Sequence, residues 1–349
     1  MKELVDRLAR EHSLNVHEYH KLIEDCDEST FDYLRRTAVA MSIQRFGTGI
    51  YVRGLIEISS YCRNNCLYCG LRCENRTAER YRLSDDEILL CCDRGYDAGL
   101  RTFVLQGGED VAFTNERLVS LVRGIKAKYN DVAITLSLGE RSNESYEQLF
   151  TAGASRYLLR HEAASQELYS YLHPDNMSLQ NRLSCIENLK VIGYQVGMGM
   201  IVGVPGQTVN HLVEDLLLMK EYSPHMIGIG PFIPHKKTPF ADASPGSFQR
   251  TLILLSIVRL MFPDALVPAT TALSTLYNEG RKEGILSGAN VVMPNLSPVG
   301  VRDKYAIYNN KLSIGAESVE RMNLLERELN SIGYHIDYSR GDYKTYGNE

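Results

Sequence analysis

Residues 52–72 read VRGLIEISSYCRNNCLYCGLR, a β-prone run (52–59) that passes without an intervening helix into three cysteines spaced CxxxCxxC. Seven further short runs rich in β-branched and apolar residues follow it: TFVLQ (102–106), VAITLSL (132–138), SRYLLR (155–160), QVGMGMIVG (195–203), MIGIG (226–230), ALVPAT (265–270) and NVVMP (290–294). Segments with helical spacing separate them, and glycine-containing stops such as DAGL (97–100), TAGA (151–154), VIGY (191–194) and LSGA (286–289) sit just ahead of the next run, where a helix C′ glycine belongs. Eight strand-helix units over about 240 residues fit a closed (β/α)8 barrel better than a doubly wound sheet, which more usually has five or six strands. The expected fold is therefore α/β, a full (β/α)8 barrel of the TIM type.

The flanks differ in pattern. Residues 1–50 show helical spacing only, with polar breaks near His12 to Asn15 and Asp27 to Thr30 that can cap the next helix, and so predict an N-terminal helical extension. The barrel is expected over 51–304. Residues 305–349 predict one more amphipathic helix, Glu317 to Ser331, and a polar, Tyr-rich tail packed on the barrel; charged tail residues such as Arg340 and Asp342 are expected to be disordered rather than to form a lid.

Composition narrows the partners. At 349 residues, 44% hydrophobic and 23% charged, the chain can bury a large core. A net charge of −5 and a pI near 6.0 give no global field for nucleic acid or an anionic membrane, so a small ligand is the expected partner. The charged N-terminus lacks a secretory apolar region, and the longest apolar stretch, Thr251 to Phe262, is too short to span a bilayer and is interrupted by Arg259. A soluble, cytoplasmic protein is expected. Four of the eight cysteines fall between 62 and 73, which suits metal binding in a reducing compartment better than a disulfide framework; Cys26, Cys91, Cys92 and Cys185 lie in apolar or helical patterns and read as small buried hydrophobes.

Cys62, Cys66 and Cys69 form the strongest chemical signal. Structural zinc usually takes four protein ligands, so a compact triplet is an awkward zinc site. Three thiolates can hold three irons of a [4Fe-4S] cubane and leave the fourth open to a ligand that is not protein. S-adenosylmethionine (SAM) suits that position: its amino and carboxylate groups can chelate the iron while an electron from the cluster breaks the S–C5′ bond to give a 5′-deoxyadenosyl radical. Cys73, four residues on, stays open as a fourth ligand that would make an ordinary closed cluster, and with it an electron carrier.

A (β/α)8 barrel builds its site at the carboxyl ends of its strands. Here those ends are polar. The second run ends in Gln106-Gly107-Gly108-Glu109-Asp110, the third near Thr135 and Ser137, the fourth in Arg160-His161-Glu162, the seventh in Thr270-Thr271 and the eighth in Met293-Pro294-Asn295. Arg160 and Glu162 offer the two charges that an amino-acid sulfonium needs. Arg182, with Asn181, is a second candidate for a carboxylate, against its reading as a solvated helix-face charge. Gly199 to Gly206 could support an adenine, and Met226 and Met293 read as core filler.

These stretches, with RYRLS (80–84), ITLSLGE (134–140), VGVPGQT (202–208), GIGPFIPH (228–235) and PATTA (268–272), resemble the radical SAM superfamily and, within it, the HydE family of [FeFe]-hydrogenase maturases, over most of residues 50–310. The resemblance implies a [4Fe-4S] cluster on Cys62, Cys66 and Cys69 with SAM on its fourth iron. It places Gly108 and Glu109 at the methionine amine, with Ser137, Glu162 and Arg182 completing that pocket, and Tyr68 and Gln106 along the nucleoside. It implies that Thr135, Arg160, Thr270, Thr271 and Tyr305 line an inner cavity for a small anionic organometallic or amino-acid-like substrate. The implied activity is attack of the adenosyl radical on the sulfur of a cysteine-bound Fe(CO)2CN synthon, building a precursor of the di-iron subcluster of the hydrogenase H-cluster, with a reductant protein and other hydrogenase maturation proteins as partners. No cysteine follows Cys185, which predicts a single cluster, and Gly107-Gly108-Glu109 stands where related barrels read Ser-Gly-Glu. The alternatives are a related barrel acting on a small organic substrate, as in methylornithine synthase or biotin synthase, and a non-catalytic iron-sulfur carrier.

Overall fold

The polar breaks in the first fifty residues act as helix caps. In the computed structural model, which describes residues 1–313 and 315–344, the side chains of Asn15 and Asp27 accept the backbone N–H groups of Glu18 and Thr30 and so open helices Val16–Glu24 and Glu28–Phe46. With Lys2–Glu11 these helices pack on the outer barrel helix Phe248–Met261. That helix carries the longest apolar run and is buried on every side, including Arg259. The Arg259 guanidinium donates to the carbonyl oxygens of Gly288, Pro263 and Ala265 at 2.8, 2.8 and 2.9 Å, and burial pulls its pKa down to about 9. Among the described residues no helix is long and apolar enough to cross a membrane.

Six parallel strands pair in chain order: Gly54–Ser59, Thr102–Gly107, Ala133–Ser137, Ala154–Leu158, Gln195–Met198 and Met226–Ile227. Single parallel bridges then carry the ring from Met226 to Leu266 and from Pro268 to Val291. Val291–Val292 pairs with strand Gly49–Val52, and Asn295 bridges Leu55, which brings the ring back to its beginning. The fold is a parallel α/β barrel of the TIM type, with its seventh and eighth staves reduced.

Three sequence expectations change in detail. The run at 265–270 makes no strand, only isolated bridges: Pro268 has no N–H to give a ladder. The run at 195–203 breaks after Met198, because Gly199 approaches the carbonyl of Gly228 more closely than any side chain allows; Ile201–Val202 pairs instead with Gly230–Pro231. The last helix is shorter than Glu317 to Ser331. It runs Met322–Asn330 after two 3-10 turns, since Glu317 is drawn into contacts with Arg281 and Thr271.

Along each strand, Ile56, Ile58, Phe103, Leu105, Ile134, Leu136, Tyr157 and Val196 join the main apolar core. The residues between them, including Glu57, Gln106, Thr135 and Arg156, therefore face the inside of the ring. Register places Glu57 beside Gln106, Gln106 beside Ser137, and Thr135 beside Arg156.

The amino-terminal mouth of the barrel is closed by the tail, which overturns the expectation of disorder at Arg340 and Asp342. Strand His335–Asp337 pairs with residues 49–51, and the chain then crosses the mouth. Buried Arg156 donates to Asp342 Oδ1 at 2.7 Å and to the Arg340 carbonyl at 3.0 Å, Thr102 Oγ1 donates to that same carbonyl at 2.8 Å, and the Tyr343 N–H to Gln195 Oε1 at 3.2 Å. A guanidinium sealed in the ring needs a counter-ion, and the tail brings it. Asp342→Ala is expected to cost about 1–3 kcal/mol, less than a fully buried pair because the carboxylate keeps some solvent, and to lower the melting temperature by a few degrees. Burial raises the Asp342 carboxyl, but hydrogen bonds from Arg340 and Arg156 outweigh it, and the net shift is downward. A lowered native pKa gives stability that is present above the unfolded carboxylate pKa and lost as pH falls through the native one. Thermal unfolding should thus show the variant's deficit at neutral pH shrinking toward pH 3.

Candidate active site

The strand Gly54–Ser59 delivers the cysteine loop to the carboxyl mouth of the barrel. An arginine staple shapes that loop: the Arg80 guanidinium donates to the carbonyls of Ser60, Leu71, Arg72 and Asn75. A second clamp fixes the neighbouring turn after strand Thr102–Gly107. Asp110 accepts two bonds from Arg82, at 2.6 and 2.9 Å, and one from Ser59 Oγ at 2.6 Å. Loop and turn touch at Gly108, where an added Cβ would overlap the Tyr61 carbonyl and come within 2.6 Å of Cys62 Cβ. Only glycine lets the two pack.

Cys62, Cys66 and Cys69 are partly buried and unbridged, while Cys73 is exposed. Cys91, Cys92 and Cys185 are buried in or beside helices, and Cys26 is partly buried. Burial pushes all three motif thiols up, Cys69 to about 12, and the charges of neighbouring cysteines add to the rise at Cys66 and Cys69. Burial in this setting favours the neutral thiols, and a bound cation would favour the thiolates. Among the described residues no three His, Cys, Asp or Glu side chains converge on one point as ligands of a single ion do. A cubane asks for something else, one thiolate at each of three separate irons, and the triplet fits that demand.

Tyr68, between the second and third cysteines, is held by His173. His173 Nδ1 lies 2.8 Å from the Tyr169 carbonyl, which can only accept, so Nδ1 carries the proton and Nε2 accepts the Tyr68 hydroxyl at 3.1 Å. Burial lowers the His173 pKa to about 4, keeping the ring neutral at physiological pH, and the ring stacks on Tyr169 at 4.0 Å. No sequence spacing relates residues 68 and 173; the turn after helix Gln166–Leu172 brings them together.

The other expected residues gather around the same mouth. Glu109 binds Arg63 at 2.9 Å and accepts the Glu140 N–H at 3.1 Å. Arg182 is buried, donates to Glu140 at 2.7 Å and to the Arg160 carbonyl at 2.7 Å, and is not a solvated helix charge. Glu162 adopts φ 67° and pairs with Arg160 at 3.0 Å, so these two charges face each other. Ser137 ends its strand next to Gln106, whose amide donates to Tyr305 OH at 3.4 Å. Thr135 and Thr270 each hold a sealed hydroxyl oxygen without a partner, whereas the Thr271 hydroxyl is committed to Glu317 at 3.0 Å. Sequence reasoning missed Glu57 and Lys311, which pair at 2.7 Å inside the ring. A carboxylate at an inward position of an otherwise apolar strand was the available signal.

The family model of the radical SAM superfamily matches residues 56–219. The [FeFe] hydrogenase maturase subunit HydE of Thermotoga maritima is 45% identical over 268 residues, 77% of this chain and 76% of that protein. The 3-methylornithine synthase of Methanosarcina acetivorans is 30% identical over 76% of this chain and 75% of its own. The crystal structure of methylornithine synthase (PylB) superposes with a TM-score of 0.85 at 27% identity, covering 96% of this chain and 97% of that one. The chain belongs to the radical SAM superfamily and, within it, to the family of the HydE maturase subunit. It is an enzyme of the class that works with a [4Fe-4S] cluster and SAM.

Gly108→Ala tests the fit between loop and turn. It is expected to lower stability by about 1–3 kcal/mol through overpacking. Iron bound per chain after anaerobic reconstitution should fall at least by half, whereas Gly124→Ala, in a helix interior where a Cβ meets nothing within 4 Å, should leave iron binding unchanged and raise stability by about 0.5–1 kcal/mol.

Proposed function

We propose that the chain cleaves SAM reductively and directs the resulting 5′-deoxyadenosyl radical at the sulfur of a cysteine-bound Fe(CO)2CN synthon, making a precursor of the di-iron subcluster for [FeFe]-hydrogenase. The observation that carries this reading is the placement of the three-cysteine loop at the barrel mouth, over an interior that holds the unpartnered hydroxyls of Thr135 and Thr270 and the ion pairs Arg160–Glu162 and Glu57–Lys311. The 45% identity to the Thermotoga HydE subunit gives it its direction. When bound, the cluster supplies the electron for the cleavage; Cys62, Cys66 and Cys69 hold it.

The remaining work falls to the chain. Glu109 and Glu162 offer carboxylates to an ammonium, and Arg182, held by Glu140, offers a guanidinium to a carboxylate. The His173-to-Tyr68 hydrogen bond orients a ring for the nucleoside. Below them Thr135, Arg160, Thr270 and Tyr305 line the space for a small anionic substrate, and Thr271 acts on that space through Glu317. The closed barrel keeps water from the radical. A cytoplasmic setting, a protein reductant and partner maturation proteins that deliver and accept the synthon belong to this reading.

A related barrel chemistry on carbon is the second reading, favoured by the superposition on methylornithine synthase over nearly the whole chain. Anaerobic reconstitution, dithionite reduction and a 5′-deoxyadenosine assay test the shared core. Nucleoside is expected from wild type and Cys73→Ala but not from Cys66→Ala. Cluster-loaded protein that cleaves no SAM, with the cluster lost in Cys73→Ala, would make the chain an iron-sulfur carrier instead.

A further inference from the structure

Residues 303–313 form a strap across the carboxyl mouth of the barrel. Its backbone joins two loops and a helix: the Gly70 N–H, in the cysteine loop, donates to the Ile307 carbonyl at 2.8 Å; the Asn309 N–H donates to the Pro234 carbonyl at 3.1 Å; and the Leu312 N–H donates to Thr275 Oγ1, in helix Thr271–Leu276, at 3.4 Å. Gly70 has no room for a side chain, since a Cβ there would overlap the Ala306 carbonyl and His235. Tyr305 and Lys311 carry their side chains from the strap down into the ring. Lys311, with its side chain 9% exposed, places Nζ 2.7 Å from Glu57 Oε1, on the inward face of the first barrel strand.

Glu57 is fully buried and fixed by its neighbours: Asn295 Nδ2 donates to Oε2 at 2.9 Å, and its own N–H donates to Ser297 Oγ at 2.8 Å. Oε1 has the lysine and no hydrogen bond of good geometry. Lys311 has three N–H donors, and Glu57 is its one charged partner among the described residues. The ring of Tyr305 lies 5.6 Å from Nζ. The Tyr305 hydroxyl accepts from the Gln106 amide at 3.4 Å, which ties the pair to the end of the second barrel strand. Around the same interior, Thr135 Oγ1, Thr270 Oγ1 and Arg160 Nε are sealed from solvent without hydrogen bonds. Unmatched polar atoms on this scale are costly unless a ligand meets them.

We propose that Lys311 is a substrate-recognition residue of the inner cavity, its ammonium binding the carboxylate of an amino-acid-like substrate while Glu57 holds it in place. The inference rests on the radical SAM reading of the cavity above and adds to it the group that selects the substrate's charge.

The test uses full-length, cluster-loaded protein under anaerobic conditions, with L-cysteine and cysteamine, which lacks the carboxylate, as calorimetric probes. Wild type is expected to bind L-cysteine about tenfold or more tightly than cysteamine. Lys311→Met should erase that preference and Lys311→Arg should restore most of it. The melting temperature and substrate-free 5′-deoxyadenosine formation serve as controls that the strap and the cluster remain in place. Lys311→Met that keeps the wild-type preference overturns the inference and leaves Lys311 as a strap anchor. So does a wild type that cleaves SAM but does not distinguish the probes, with the radical reading intact. A wild type that distinguishes them yet cleaves no SAM keeps the recognition site and removes the proposed function instead. If Lys311→Met unfolds, Glu57→Gln is read in its place. It keeps the shape and removes the counter-ion, and unchanged discrimination in that variant overturns the pairing.

Discussion

A ring of parallel strands turns every second side chain inward, and in this chain many of those side chains are polar or charged. A charge inside the ring is far costlier alone than with an opposite charge at hydrogen-bonding distance, and three close pairs form there. Arg156 meets Asp342, Arg160 meets Glu162, and Glu57 meets Lys311. The distribution of these pairs along the barrel axis organises everything else. The pair at the amino-terminal end closes a mouth, and those at the carboxyl end border the space under the cysteine loop.

Two of the three pairs draw one partner from the last tenth or so of the chain. Residues 303–313 cross the upper mouth and residues 335–343 cross the lower one, with helix Met322–Asn330 between them on the outside. Lys311 and Asp342 are thus the far ends of a single C-terminal segment that completes the charge balance of the interior. A barrel without it would hold Glu57 and Arg156 buried and alone.

The upper mouth depends on close backbone packing as much as on charge. Gly108 lets the turn after Gln106 meet the cysteine loop, and Gly70 lets the strap meet it from the other side. Between these contacts the loop has little freedom, and the Arg80 staple removes more. Tyr68 is oriented from a third direction by neutral His173. Three thiols, a ring and two carboxylates are held in one place by elements distant in sequence, which is the preorganisation a radical reaction needs if its intermediate is not to escape.

The local code was legible where neighbours in sequence decide the outcome. Helix caps at Asn15 and Asp27, the short β-prone runs of the strands from Gly54 to Leu158, and the cysteine triplet could all be read directly, since each depends on residues within a few positions of one another. The same reading placed most of the candidate site at the carboxyl strand ends. It did not reach the partners. Glu140 under Arg182, His173 beside Tyr68, Asp342 on Arg156 and Lys311 on Glu57 lie between 42 and roughly 250 residues from the groups they hold, and only ring closure sets those distances. The sequence by itself determined where most of the strands begin, in what order they follow, and which polar residues stand at their carboxyl ends. The tertiary structure decided which charges neutralise one another, because a buried ion takes the nearest compensating group in space, whatever its place along the chain.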